Sequence, residues 1–239
     1  MCKLNTAARC GVLAAALLMA FLPASASANW GRKTNNGASC GPFENEHCYA
    51  YAEWNMEGAE KVEGTLAYQY TTTMNVPGWA SGDFVTNEEW ALFEPYYHWV
   101  EAGQIAGAAM DCCSLHEFYA YDNSSGFWKV TAPWTVPTWT NNLYQLVAAG
   151  SGIWCVDWAT TQVACSSGFP TYSNRLIVGD EVAARTKPEN AGKEGTNATW
   201  LDGSVHNWGK EHTYADGGMC LSRNTSPYPA LGNINFGTC

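Results

Sequence analysis

Between residues 64 and 185 the chain is a succession of short runs rich in Thr, Val, Tyr, Phe and Trp, cut by clusters of Gly, Pro, Asn and Asp. Branched and aromatic side chains suit a pleated, half-buried surface, and turn residues this frequent leave no room for long helices. The pattern predicts an all-β domain with strands over residues 64–76, 98–107, 116–121, 127–131, 142–149, 153–158, 161–165 and 176–185. Gly150-Ser151-Gly152 reads as a hairpin turn, and a second turn near Ala159 and Thr160 returns the chain beside it. Pro133 and Pro137 mark a loop between strands. Residues 87–93 are the one stretch with the pattern of a helical turn, and the Gly, Asn and Pro content from Leu201 onward reads as a loop-rich part held by Cys220 and Cys239. Short strands in this number predict two packed antiparallel sheets, a sandwich or jelly roll.

Composition removes other classes. With 239 residues, 46% hydrophobic and 14% charged, the chain has enough apolar side chain for a sizeable core and too little charge for disorder. A net charge of −10 argues against nucleic acid or an anionic membrane as partner. Residues 1–28 read as a secretory signal: Lys3 and Arg9, an apolar run too short to span a bilayer, then Ala24-Ser25-Ala26-Ser27-Ala28. The mature chain is then a single domain over residues 29–239, extracellular, off the membrane after cleavage, and expected to be a monomer.

Eight cysteines follow the signal: Cys40, Cys48, Cys112, Cys113, Cys155, Cys165, Cys220 and Cys239. An even set in an exported chain reads as disulfides. The expected pairs are Cys40–Cys48, Cys155–Cys165 and Cys220–Cys239; the adjacent Cys112 and Cys113 either bridge each other or take separate partners. Cys112-Cys113-x-x-His116 and His47-Cys48 contain soft ligands, yet no matched C-x-x-C pairs exist to make a zinc site. No H-E-x-x-H, EF-hand loop, P-loop, G-x-G-x-x-G or G-x-S-x-G is present, so neither metal nor cofactor is expected.

Two glutamates carry the candidate chemistry. In Trp99-Val100-Glu101-Ala102-Gly103, period two puts Trp99, Glu101 and Gly103 on one face. Along residues 175–185, Ile177, Gly179, Glu181 and Ala183 share a face. Small neighbours let another chain approach each carboxylate, with Trp99 as a platform. Glu is disfavoured in mid-strand unless a solvent-facing position or a function compensates. Glu88 and Glu89, beside Trp90, read as a solvated loop. His98 falls on the face opposite Glu101, and Asp180 opposite Glu181. Trp200 and Trp208, in a Gly/Asn-rich stretch, are the tryptophans expected to be exposed for substrate binding.

Val100-Glu101-Ala102-Gly103 resembles the strand that carries the first catalytic glutamate in the neprosin family of secreted glutamic peptidases. The related fungal eqolisins have Gln-Thr-Gly there, with glutamine at the place of Glu101. The approach through residues 64–77 and 84–90 and the hairpin over 143–163 resemble the same group, and the second acid maps onto Glu181. The resemblance implies a concanavalin-like sandwich and cleavage of peptide bonds at acid pH by a Glu101/Glu181 pair. One carboxyl would stay protonated as acid while the other activates water. A polysaccharide-binding or glycoside-cleaving jelly roll is the alternative, since such proteins also set carboxylates and aromatic platforms on a concave sheet. There Glu94-Pro95-Tyr96-Tyr97 departs from the xylanase strand, because Pro95 interrupts the alternation. A cell-surface or matrix protein without catalysis is the third reading.

Overall fold

The computed structural model describes residues 47–55, 61–76, 82–96, 98–107, 110–183, 189–200, 205–207, 212–216, 219–224 and 233–238. These residues form two antiparallel sheets. The first contains, in spatial order, β13 (His212–Ala215), β1 (Cys48–Asn55), β10 (Arg175–Ala183), β3 (Phe84–Phe93), β4 (His98–Gly107), β5 (Asp111–Asn123) and β6 (Gly126–Thr135). The second contains β14 (Met219–Asn224), β15 (Asn233–Thr238), β11 (Glu189–Trp200), β2 (Val62–Asn75), β7 (Asn141–Gly150), β8 (Ile153–Trp158) and β9 (Thr161–Ser167), with β12 (Val205–Asn207) paired to β11 beside that path.

Alternation decides which side chains meet between the sheets. From the first sheet Ala50, Ala52, Val85, Ala91, Phe93, Val100, Ala102, Tyr119 and Tyr121 face Ala67, Tyr144, Leu146, Trp154 and Val156 of the second. Each large side chain buried this way contributes about 1.5–3 kcal/mol. Phe93 seals one part of this core, with Trp154 and Phe169 at ring-centroid distances of 4.9 and 5.0 Å. The other face of the first sheet carries two smaller apolar groups. One holds Trp90, Leu92, Trp99, Ala120 and Ile177; the other holds Ile105 and Phe118 with Phe84 against them.

The eight expected strands are present, though most extend beyond their expected ends. Gly150, Ser151 and Gly152 all take positive φ in the β7–β8 turn, and Ala159 does so in the next turn. At Gly152 a Cβ would lie 2.3 Å from the Phe169 carbonyl oxygen, so glycine is required there for space as well as for conformation. Cys155 and Cys165 face each other across β8 and β9 and are joined by a disulfide. Cys48, Cys113 and Cys220 are disulfide-bonded too, while Cys40 and Cys239 lie outside the described residues, as does the expected signal over 1–28. Among the described residues no helix is long and apolar enough to cross a membrane.

Three expectations are corrected. Residues 87–93 form no helical turn; they lie in β3, where Trp90 is fully buried. An aromatic and acidic run with one residue in each pair facing the core has strand periodicity. Pro133 lies inside β6, which tolerates it because β6 is the edge of its sheet and the missing N–H costs no inner ladder bond. The stretch beyond Leu201 is not loop alone: β12, β13, β14 and β15 all fall there. The polar β11 sits inside its sheet, paired to β2 on one side and β15 on the other. Partners on both edges compensate for weak intrinsic preference.

A polar stripe runs through the core. Between the sheets the Asn87 amide donates to the Thr71 hydroxyl, which donates in turn to Gln104 Oε1, and Glu89 is fully buried opposite Val178 and Ala102. Burial raises the Glu89 carboxyl well above its ordinary value, against a smaller lowering by the Thr65 hydroxyl. A carboxyl raised in the folded state contributes its full stability below the unfolded value and loses it as pH rises through the folded one. Glu89→Gln is therefore expected to unfold at a higher temperature than the parent at pH 7–8, by about 2–4 °C for each kcal/mol regained. The two should converge near pH 3–4. Thermal unfolding followed by circular dichroism at both pH values checks this, and a deficit for Glu89→Gln at pH 8 contradicts it.

Candidate active site

Three neighbouring strands bring carboxylates to the face turned away from the inter-sheet core. Glu88 lies on β3, with Gly179 of β10 opposite it on one side and Gly103 of β4 on the other. Two residues along β4, Glu101 stands opposite Trp90. Two residues along β10, Glu181 stands opposite Tyr49 of β1. One carboxylate oxygen from each of Glu88, Glu101 and Glu181 lies within 4.8 Å of the others. Glu101 and Glu181 keep 6% and 7% exposure, and Glu88 has none.

The glycines explain how three acids fit side by side. A Cβ at Gly103 would lie 2.1 Å from the Asn87 carbonyl oxygen and 2.8 Å from Glu88 Cβ. At Gly179 it would meet the Ala50 carbonyl oxygen at 2.1 Å and Tyr51 Cβ at 2.8 Å. The chain that approaches these glycines in the folded protein is its own neighbouring strand. Thr86 makes a second local adjustment. Its hydroxyl accepts from the Glu181 backbone N–H at 3.0 Å and donates to Glu88 Oε1 at 2.5 Å, which ties β3, β10 and two of the acids together.

Each carboxylate has its own donors. Trp90 Nε1–H donates to Glu101 Oε2 at 2.6 Å. Tyr49 donates its phenolic proton to Glu181 Oε1 at 2.9 Å, and the His47 Nδ1 forms an ion pair with the same oxygen. Lys129 of β6 completes the row that runs from Glu101 through Ala120 across the sheet. Its ammonium sits over Phe84 at 5.0 Å from the ring centroid.

These surroundings separate the acids. Burial raises Glu101 well above the ordinary carboxyl value, the charge of Glu181 raises it further, and Lys129 and Trp90 oppose both only in part. Glu88 is likewise raised well above, first by burial and then by Glu101 and Glu181. Glu181 differs. Burial raises it too, but the charge of His47, the bonds from His47 and Tyr49, and Lys129 together bring it below the ordinary value. His47 in turn is raised, because Glu181 outweighs the lowering caused by burial. The site therefore holds an ionised carboxylate beside protonated ones in acid solution, the arrangement needed for one base and one acid. By spacing alone three carboxylates can close on a divalent cation. Here an indole, a hydroxyl, a phenol and an imidazole engage one oxygen of each carboxyl, a donor set that suits a proton-sharing cluster.

The structure thus brings the two sequence-chosen acids, Glu101 and Glu181, into one site. Trp99 lies on the same face, buried, with the half-exposed Phe127 at 5.7 Å. Trp200 ends β11, and its side chain, like all of Trp208, lies outside the described residues. Asp180 is buried on the opposite face of β10. His116 is held by the Ala132 and Trp134 carbonyl oxygens. The expectation that Glu88 and Glu89 form a solvated loop is overturned, since both are wholly buried in β3. Glu88, Thr86, Trp90, His47, Tyr49 and Lys129 were not legible as site residues. The usable signal was alternation through 84–93, which puts Thr86, Glu88 and Trp90 on one face.

No family model and no curated protein matches the chain. Its fold is similar to that of scytalido-glutamic peptidase with a transition state analog inhibitor, at TM-score 0.57 and 10% identity over 81% of this chain and 99% of that one. It is similar also to SCP-B, a member of the eqolisin family of peptidases, in a complex with the tripeptide Ala-Ile-His, at TM-score 0.53 and 9% identity over the same shares. The likeness is one of fold: a two-sheet antiparallel sandwich shared across most of both chains.

Replacing His47 by Gln removes the largest influence that lowers Glu181. The Glu181 carboxyl-carbon resonance should then titrate at a higher pH than in the parent. A midpoint that does not move would show that Tyr49 and Lys129 hold the carboxylate without His47.

Proposed function

We propose that the protein is a secreted glutamic-peptidase-like hydrolase that cleaves peptide bonds in acid solution, with Glu181 as base and Glu101 as acid. The observation that carries this reading is the pairing of two carboxyls within 4.8 Å on one sheet face, one held by an imidazole and a phenol and the other by an indole, surroundings that lower Glu181 and leave Glu101 raised. Oxygens within 4.8 Å of one another are close enough for a single water to touch both. Ionised Glu181 takes a proton from that water, whose oxygen attacks the scissile carbonyl carbon. Protonated Glu101 donates to the carbonyl oxygen as negative charge develops there, and the proton held by the pair passes to the leaving amine as the C–N bond breaks. Tyr49 and His47 stay bonded to Glu181 Oε1 and keep the base ionised, while Trp90 holds Glu101 in place. The substrate is an extended extracellular polypeptide, and the disulfide between Cys155 and Cys165 suits an oxidising compartment.

The pH dependence follows from the signs. Activity needs Glu181 ionised and Glu101 protonated, so it should fall on the acid side below the ordinary carboxyl value and persist on the other side until Glu101 ionises, well above it. Purified protein incubated near pH 4 with an unfolded protein mixture should release peptides detectable by mass spectrometry. Glu101→Gln and Glu181→Gln should each lower the rate by about 10³-fold. No cleavage between pH 3 and pH 7 contradicts the reading.

A further inference from the structure

The proposed reaction uses two carboxyls, and the cluster around them holds a third, Glu88. Glu88 stands between the strands of the other two, with glycine as cross-strand neighbour on both sides. Any side chain at Gly103 would collide with Glu88 itself, so the sheet is built to admit this residue. Its Oε1 accepts from Thr86, and its Oε2 is buried with no hydrogen-bond partner among the described residues. A fully buried carboxylate with an unsatisfied oxygen beside two further acids is costly, whereas a carboxylic acid there has a proton to direct at its neighbours.

We infer that Glu88 is a positioning residue of this site: a carboxylic acid that stays protonated, accepts from Thr86 through Oε1 and presents its Oε2 proton to the Glu101/Glu181 pair. The inference rests on the proposed reaction for its catalytic meaning, though not for its protonation state. The titratable and charged groups around Glu88 come from neighbouring strands: Glu101 from β4, Glu181 from β10, Tyr49 from β1 and Lys129 from β6, while His47, just before β1, pairs with Glu181. Two acids disfavour a third charge, and the Lys129 ammonium is shared among all three carboxyls. A donor fixed in this position favours the ionised form of the base without adding negative charge. It also confines the exchangeable charge to the pair that meets the substrate. The role requires a donor and not a titrating group, so glutamine can fill it and an apolar side chain of similar length cannot.

The test has a readout that needs no activity and no variant. In carbon-13-labelled parent protein, the Glu88 carboxyl carbon, assigned through its side-chain connectivity, should hold its protonated position from about pH 3 to about pH 6. A carboxylate signal at about pH 5 overturns the inference, whether or not the protein cleaves peptides. Kinetics then test the positioning role. Glu88→Gln should lower kcat/KM at pH 4 by less than about threefold, and Glu88→Met by about tenfold or more, the equivalent of one charge-assisted hydrogen bond. The Glu88→Met deficit should grow toward pH 3, because the base loses the donor that favours its ionised form. A deficit equal in both variants and constant with pH marks a merely structural residue and overturns the positioning role. If the parent cleaves nothing, the proposed function fails while the carbon titration still decides the state of Glu88.

Discussion

The protein places three carboxyl groups on one face of a sheet where water scarcely reaches, and the rest of the site follows from the need to keep their charges apart. One acid receives the compensation. Glu181 has an imidazole, a phenol and a share of Lys129, and it alone among the three falls below the ordinary carboxyl value. Glu101 has an indole donor and a neighbouring negative charge, and it rises. The difference is set by His47 just before β1 and by side chains from β1, β3 and β6, none on the strands that carry the two acids. A single β-hairpin with the same glutamates would have no such asymmetry.

The sheet that supports them requires concessions in backbone and side-chain size. Glycine at 103 and 179 lets adjacent strands close around Glu88, and the Thr86 hydroxyl accepts an N–H within the β3–β10 ladder. Behind the face, the largely apolar inter-sheet core carries buried polar side chains, among them Asn87, Gln104, Thr71, Gln69, Glu89 and Asp180. Residues 87–89 thus alternate core, site and core in three successive positions. Mutating any of them perturbs packing and chemistry together, which is why the variants proposed above keep side-chain length.

Much of the architecture was legible in the sequence. The limits of β4 and β8, the β7–β8 turn and the Cys155–Cys165 pair are local features, fixed by alternation, glycine and short spacing. Glu101 could be read because its strand has clean period-two alternation and a recognisable family likeness. Glu88 could not, because two adjacent acids beside a tryptophan look solvated until the strands on either side are known. His47 and Tyr49 were hidden for another reason: they reach Glu181 across more than 130 positions of sequence through the β1–β10 pairing. The polar β11 was missed because its place in the sheet comes from partners on both sides and not from its own side chains.

The central claim is that Glu101 and Glu181 act as one unit around one water. Its most direct test is a comparison of kcat/KM for Glu101→Gln, Glu181→Gln and the double variant under the same acid conditions. Residues that act together are strongly non-additive, so the double variant should lose no more than about the worse single variant. Losses that multiply, with each substitution costing the same factor in either background, would show two independent contributions and contradict the account.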